Sequence, residues 1–332
     1  MRKRIISAVL LLLILMMLGG CERNGEIDSS KGLNIVATVF PAYDFAREIA
    51  GERAAITLLV PPGAEVHSFE PTPQDIIRIR NCDLLIRNGG ESEVWFEEIH
   101  ESLDSQINVV TMLDCVDALE EETREGMQGT EHGHHEHEDH DEHTDHDDHD
   151  GHHGHEAEYD EHVWTSPVNA KRICEAICDR LCRIDPVNAD EYKKNCASFC
   201  AELMELDAAF REIVSNASCR TMIFADRFPV RYFVEEYGLE YYAAFPGCAE
   251  DTEPSAKTVA FLIDRVREYD TPAVFYIEFS NEKMADIICE DTGCKKFLFH
   301  SCQNISADQL REGTGYLELF RANLSALREA LG

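Results

Sequence analysis

Residues 131–167 read EHGHHEHEDHDEHTDHDDHDGHHGHEAEYDEHVWTSP. Eleven of the chain's 15 histidines fall between His132 and His155: His132, His134, His135, His137, His140, His143, His146, His149, His152, His153 and His155. Fourteen acidic residues lie between Glu131 and Glu161, and no Lys or Arg occurs between Arg124 and Lys171. Imidazole and carboxylate are ligands for Zn²⁺ and its neighbours in the divalent series, so the chemistry indicated is metal capture. A solvated acidic linker with incidental histidines is the plainer alternative, and the density of His argues against it. No apolar periodicity appears before Val163, so residues 120–159 are expected to form a disordered, solvated loop. The run ends in Asp160-Glu161-His162-Val163-Trp164, where apolar residues resume, which puts His162 on an ordered element.

The other histidines outside the run are His67, His100 and His300. His67 lies in the loop 61–73, which follows a predicted strand at 54–60. Open α/β sheets keep their sites in loops at the C-terminal ends of strands. His300 ends a predicted strand at 295–299, and His100 is expected on the face of a surface helix.

Composition sets further bounds. The net charge of −34, much of it in the His-rich run, suits cations and argues against nucleic acid as a partner. Arg2, Lys3 and Arg4 precede an apolar run at 5–18 and then Leu18-Gly19-Gly20-Cys21. A basic start, a short apolar stretch and small residues form a secretory signal, and Leu-Gly-Gly-Cys resembles the bacterial lipobox. Cys21 would then be the lipidated first residue of an exported chain held to the membrane, with 22–32 as a tether. Twelve cysteines remain. Cys174, Cys178 and Cys182, and Cys196 and Cys200, repeat every fourth residue and so share helical faces. They read mainly as small buried residues facing a neighbouring helix; a disulfide or a second thiolate metal site is the sharper alternative. So many thiols suit, weakly, an organism living without oxygen.

The elements that must position the histidines alternate. Strands at 33–39, 54–60, 82–88 and 108–112 are separated by helices at 42–50, 74–81 and from Glu93 onward. Such alternation predicts a parallel sheet with helices on both faces. Beyond the run, a helix from Pro167 to about Arg183 meets Asp185-Pro186. A long helix at 189–216 follows, with Phe199, Leu203, Leu206, Phe210 and Ile213 at 3–4 spacing. Alternation then restarts, with strands at 220–225, 239–245, 272–279 and 295–299 and a closing helix at 316–331. The fold class is therefore α/β: two parallel-sheet lobes joined by a long helix. The divisions are 1–21 (signal), 22–32 (tether), 33–185 (first lobe), 186–216 (linking helix) and 217–332 (second lobe).

Several stretches together resemble the zinc- or manganese-binding substrate-binding lipoproteins of bacterial ABC importers. They are Thr38-Val39-Phe40-Pro41, Pro62-Gly63-Ala64-Glu65-Val66-His67 with Glu70-Pro71-Thr72-Pro73, and Asn88-Gly89-Gly90. Later come Asp160-Glu161-His162-Val163-Trp164-Thr165-Ser166-Pro167, Tyr237-Gly238-Leu239 and Glu253-Pro254-Ser255. The similarity covers nearly the whole chain after the signal, and a His-rich insertion resembles the zinc-type members.

The resemblance implies a metal site in the cleft between the lobes, with His67 and His162 as its first two ligands. Where the family places a third histidine, this chain has Ala225-Asp226-Arg227-Phe228, so Asp226 is the candidate there. Where a final carboxylate is expected, the chain has Phe299-His300-Ser301-Cys302, and His300 is expected to restore the third nitrogen. Glu278 and Cys302 are fallback ligands, and Cys248 is expected to pair with Cys302 or to pack near the site. Three imidazoles with at most one carboxylate suit Zn²⁺, whereas Mn²⁺, the alternative cargo, prefers more oxygen. The implied partners are an ABC permease and its ATPase, with the membrane reached through lipid on Cys21, and a monomer is expected.

Rival readings are a surface zinc store or metal-dependent adhesin and, from another class, a zinc hydrolase using Glu65 or Glu278 as base. No HExxH spacing supports the hydrolase.

Overall fold

The computed structural model describes residues 32–100, 107–128, 158–249 and 253–332. Cys21 and the eleven histidines of the run lie outside the described residues. Among the described residues, no helix is long and apolar enough to cross a membrane.

The first lobe contains β1 (Leu33–Ala37), α1 (Phe40–Ala50), β2 (Ala54–Leu58), α2 (Pro73–Arg80), β3 (Leu84–Arg87), α3 (Val94–His100) and β4 (Asn108–Thr111). Its strands pair in parallel in the order β2-β1-β3-β4. Parallel strands are covered on both faces. Along β1, accordingly, Ile35 and Ala37 join one core while Val36 joins another with Leu85 and Phe96. Pro41 sits in the first turn of α1, where its missing N–H costs nothing, and Thr72 and Asp75 form a capping box at α2.

Two helices then run back to back: α4 (Pro167–Ile184) and α5 (Ala189–Ser215), the latter 27 residues and so about 40 Å long. Cys174, Cys178, Cys196 and Cys200 are buried at their seam. That is the place of small core residues, and every cysteine among the described residues is free.

The second lobe adds β5 (Thr221–Phe228), α6 (Arg231–Tyr237), β6 (Glu240–Pro246), α7 (Ala256–Tyr269), β7 (Ala273–Tyr276), α8 (Lys283–Thr292), β8 (Lys295–Leu298), α9 (Ala307–Glu312) and α10 (Tyr316–Leu331). Its parallel sheet has the order β6-β5-β7-β8.

The structure departs from the sequence expectation in several places: residues 120–128 and 158–159 of the expected loop 120–159 are ordered, with Glu120 bridging Tyr159, and β7 stops at Tyr276, short of the expected 279. β5 runs on to Phe228, because a register shift between Phe224 and Arg227 lets pairing with β6 resume. The six-residue α9 is too short for its apolar period to show; its capping box of Ser306 and Gln309 is the signal that marks it.

One continuous core ties the lobes together. Phe210, near the C-terminal end of α5, packs against Phe233 of α6 (ring centroids 5.0 Å apart), Tyr237 (5.6 Å) and Phe320 of α10 (5.6 Å). Phe45 of α1 touches both Phe199 and Tyr316. Beside it, the buried Asp44 carboxylate accepts the Tyr316 N–H (2.7 Å) and lies 2.7 Å from Arg47. Burial raises the Asp44 pKa from 3.8 to about 6, against the pull of Arg47.

Truncation of Phe210 to Ala opens a cavity at the junction of α5, α6 and α10, and should cost about 3–5 kcal/mol in urea unfolding. Asp44 generates a pH signature. Its folded pKa lies above its unfolded value, so its contribution is full below pH 4 and is lost as pH rises through about 6. The stability of the wild type relative to Asp44→Asn should therefore fall by up to about 3 kcal/mol between pH 4 and 6, measured by urea unfolding of both proteins. A pH-independent difference would contradict this.

Candidate metal centre

His67 and His162 come together. Their ring centroids lie 5.4 Å apart, edge to face. His67 stands in the loop after β2. His162 is fully buried, at the entry to a short helical turn, Val163–Thr165, that leads into α4. Thr165 Oγ1 donates to the His162 carbonyl (2.8 Å), and Trp164 Nε1 donates to the Ser301 carbonyl (2.8 Å). The turn is thus fastened both to itself and to the second lobe.

Asp160 fixes how the His162 ring is presented. Its Oδ1 accepts the His162 backbone N–H (2.8 Å) and lies 3.1 Å from Nδ1. A carboxylate at Nδ1 holds the proton there and leaves Nε2 as a lone pair. His162 Nε2 is buried and has no hydrogen-bond partner among the described residues. Asp160 is held in turn by Tyr232, whose hydroxyl donates to the Asp160 carbonyl (2.8 Å) and accepts the Leu119 N–H (3.1 Å).

His67 is presented in the same sense. Its Nδ1 faces Glu161 Oε2 at 3.9 Å, and its Nε2 accepts from the Gln303 side-chain amide at 2.7 Å. The loop carrying it is gripped from the second lobe. Asn304 Nδ2 donates to the carbonyls of Pro61 (3.0 Å) and Ala64 (2.7 Å), and Arg227 pairs with Glu65 (3.0 Å).

Cys248 completes the group. One donor atom each from His67, His162 and Cys248 lie within 4.8 Å of one another, and among the described residues this is the only such cluster of three or more potential ligands. Cys248 follows the C-terminal end of β6. Its N–H donates to Glu121 Oε1 (3.2 Å). His67 and Cys248 face a cavity of about 400 Å³ lined by parts of both lobes, among them Ser92, Glu121 and Glu161, with His162 buried behind it. A larger cavity of about 670 Å³ opens along β2, and its lining carries no histidine.

The nearby carboxylates are engaged. Glu161 accepts from both the backbone N–H (2.8 Å) and the hydroxyl of Ser92. Gly90 makes this fit possible: its φ is 92°, and a Cβ there would lie 2.5 Å from Glu161 Oε1. Burial raises the pKa values of Glu161 and Glu121. Burial and the neighbouring His162 charge lower His67 to about 3. Burial also opposes charge on His162, but Asp160, with Glu161 and Glu121, outweighs it and the net shift is upward. Burial, then Glu121, Asp160 and Glu161, push the Cys248 thiol well up.

The remaining candidates are placed elsewhere. His300 is not in the cluster: its Nδ1 accepts the Cys302 N–H (3.0 Å) and lies 3.6 Å from Glu278. Its backbone is clasped by Asn323, which accepts the N–H and donates to the carbonyl. Asp226 turns back onto its own strand and the next, accepting the N–H groups of Arg227 (2.8 Å) and Ile277 (3.4 Å). Glu278 caps the Ser301 and Gln303 amides. Cys302 is fully buried and unpaired, so Cys248 and Cys302 form no disulfide.

Asp160 and Gln303 touch the two imidazoles, and the sequence reading assigned neither of them a place at the site. Asp160 stands two residues before the candidate ligand His162, a spacing that signals an orienting carboxylate. Gln303 lies in the segment expected to hold the fourth ligand, one residue past the Phe299–Cys302 stretch that was weighed.

Over residues 35–330 the chain matches the family model described as zinc-uptake complex component A, periplasmic (ZnuA). The high-affinity zinc uptake system protein ZnuA of Bacillus subtilis is 30% identical over 319 residues, which cover 94% of this chain and 92% of that protein. A solved structure of the metal-dependent lipoprotein YcdH from Bacillus subtilis superposes with a TM-score of 0.72 at 27% identity, covering 90% of this chain and 99% of that one. The Zn(II)-bound ZnuA-like domain of Streptococcus pneumoniae AdcA shares the fold with a TM-score of 0.71 at 24% identity, over 90% and 99% of the two chains. By the match over residues 35–330 and the 30% identity to a zinc uptake protein, the chain belongs to the ZnuA family, a family of binding proteins and not of enzymes.

Proposed function

We propose that this protein works outside the cytoplasm as the solute-binding component of an ABC importer, capturing Zn²⁺ between its lobes and delivering it to a membrane permease driven by an ATPase. The observation that carries the reading is the buried Nε2 of His162, without a hydrogen-bond partner among the described residues, on a ring held by Asp160 and set against the ring of His67. An imidazole lone pair kept dry and unbonded is costly, and a cation relieves that cost.

His67 and His162 are the imidazole ligands in this reading, and His300 and Asp226, engaged elsewhere, fall outside the set. Loading requires the Gln303 amide to give up His67 Nε2, since ion and amide compete for one lone pair. Ligand loops gripped by both lobes would let the ion stiffen the cleft, which gives a permease a way to distinguish loaded from empty protein. The eleven histidines between His132 and His155 would bind ions more weakly and raise their concentration near the cleft. Lipid on Cys21 would tether the monomer to the membrane.

The test is a competition titration of the mature chain with Zn²⁺ and Mn²⁺. One tight Zn²⁺ per chain is expected above weaker binding by the run. That ion should be lost in His162→Ala and retained when residues 131–156 are deleted, while the deletion lowers uptake at scarce zinc. If all binding disappears with the run, the protein is a surface store. In Asp160→Asn the stoichiometry should hold while Zn²⁺ affinity falls about 10–100-fold, the usual effect of losing a partner that orients a ligand histidine. An unchanged affinity would remove Asp160 from that role.

A further inference from the structure

We propose that the sulfur of Cys248, as a thiolate, is the third protein ligand of the captured ion, making the site two imidazoles and one sulfur. This deepens the importer reading and rests on it.

Three observations point to the sulfur. Ala225 stands where the family resemblance implies a histidine, and its methyl group is buried in the second lobe's core. The neighbouring Asp226 is spent on backbone amides of its own lobe. Position 225 therefore offers no ligand.

The turn after the next strand supplies one. β6 pairs directly with β5, and the Pro246-Gly247-Cys248 turn leaves the C-terminal end of β6 into the same cleft. Ligand groups in parallel sheets come from this end of the strands, so moving the ligand one strand over keeps it in reach.

Gly247 is built for that approach. A Cβ on it would lie 3.1 Å from His162 Cε1, 3.2 Å from His162 Nδ1 and 2.9 Å from the Phe228 carbonyl oxygen. Only glycine lets the turn close against the His162 imidazole. The result is that donor atoms of His67, His162 and Cys248 lie within 4.8 Å of one another. A tetrahedral Zn²⁺ with Zn–N of about 2.0–2.1 Å and Zn–S of about 2.3 Å separates its donors by roughly 3.3–3.6 Å. A contraction of roughly an ångström then completes the site.

The chemistry balances without a redox partner. The hydrated ion sheds water, the Cys248 S–H bond breaks as a Zn–S bond forms, and one proton passes to solvent. A soft thiolate in place of an imidazole biases the site toward Zn²⁺ and away from Mn²⁺.

The test uses Co²⁺ as a spectroscopic stand-in on the full mature chain, reduced, with one equivalent added. A near-ultraviolet sulfur-to-cobalt charge-transfer band is expected, and it should vanish in Cys248→Ser. Zn²⁺ affinity in that variant should fall about a hundredfold or more, since a ligand matters more than the orienting partners whose loss costs about 10–100-fold. Zn²⁺ should also protect Cys248 of the wild type from alkylation, read by peptide mapping, which decides the matter even if the serine variant folds poorly. Tight Co²⁺ binding with no charge-transfer band, or Cys248 alkylated equally with and without Zn²⁺, overturns the thiolate and leaves the importer reading intact. A band that persists in Cys248→Ser assigns the sulfur to another cysteine and also overturns it. Absence of any tight one-equivalent site overturns both.

Discussion

A buried imidazole nitrogen with no hydrogen-bond partner among the described residues sits at the meeting point of the two lobes, and much of the structure serves to keep it there. An unsatisfied buried polar atom costs about 1–3 kcal/mol, a sizeable part of the net stability of a typical domain. It persists because the surroundings leave it no alternative. Asp160 holds Nδ1, Thr165 holds the His162 carbonyl, Tyr232 holds Asp160, and Trp164 pins the turn to Ser301. None of these groups can turn to satisfy Nε2 without abandoning its own partner. A donor atom held in place by many neighbours is how a fold keeps a site ready for a ligand.

The same logic explains why the lobes are fused through a shared core instead of merely linked. The loop bearing His67 belongs to the first sheet, but Asn304 and Arg227 hold it from the second. The position of one imidazole thus depends on the docking of the other lobe. α5 supplies that docking: Phe199 serves the α1 side and Phe210 the α6 and α10 side of one helix. A long helix packed at both ends resists the wide hinge opening that a flexible linker would permit. Changes on loading are then expected to be local, in groups such as Gln303 that share a lone pair with the ion.

Much of this was legible in the sequence. Alternating strands and helices specify both parallel sheets because buried parallel strands are apolar throughout, as in Ile35, Val36 and Ala37 of β1. The stripe along α5 reads as a linking helix for the same reason. His67 and His162 could be singled out because each stands beside a sheet's C-terminal end or an abrupt return of apolar residues. The second lobe's share of the site was less legible. His300 ends a strand, as a ligand would, yet its ring points to a backbone amide and Glu278, and no spacing reports a side chain's direction. Cys248 was visible as a cysteine after Pro-Gly. Its proximity to His162 depends on how closely Gly247 packs, and that is a tertiary fact. Asp160 went unremarked because it sits at the edge of an acidic run, where a single orienting carboxylate looks like its solvated neighbours.

That acidic setting bears on selectivity. A cleft lined by Glu121, Glu158 and Glu161, in a chain of net charge −34, attracts every divalent cation. Attraction alone would favour Mg²⁺ and Ca²⁺, which prefer oxygen and are the commoner ions. The oxygens nearest the cluster are occupied, however: Glu161 by Ser92, Glu121 by the Cys248 amide, and Asp160 by His162. Their charge still reaches into the cleft while each of these carboxylates is also hydrogen-bonded within the protein. The donors that converge in the cluster itself are nitrogen and sulfur, which hard cations bind poorly and Zn²⁺ binds well. The field draws cations in without discrimination, and the choice among them is made by which donor atoms the fold has left unused.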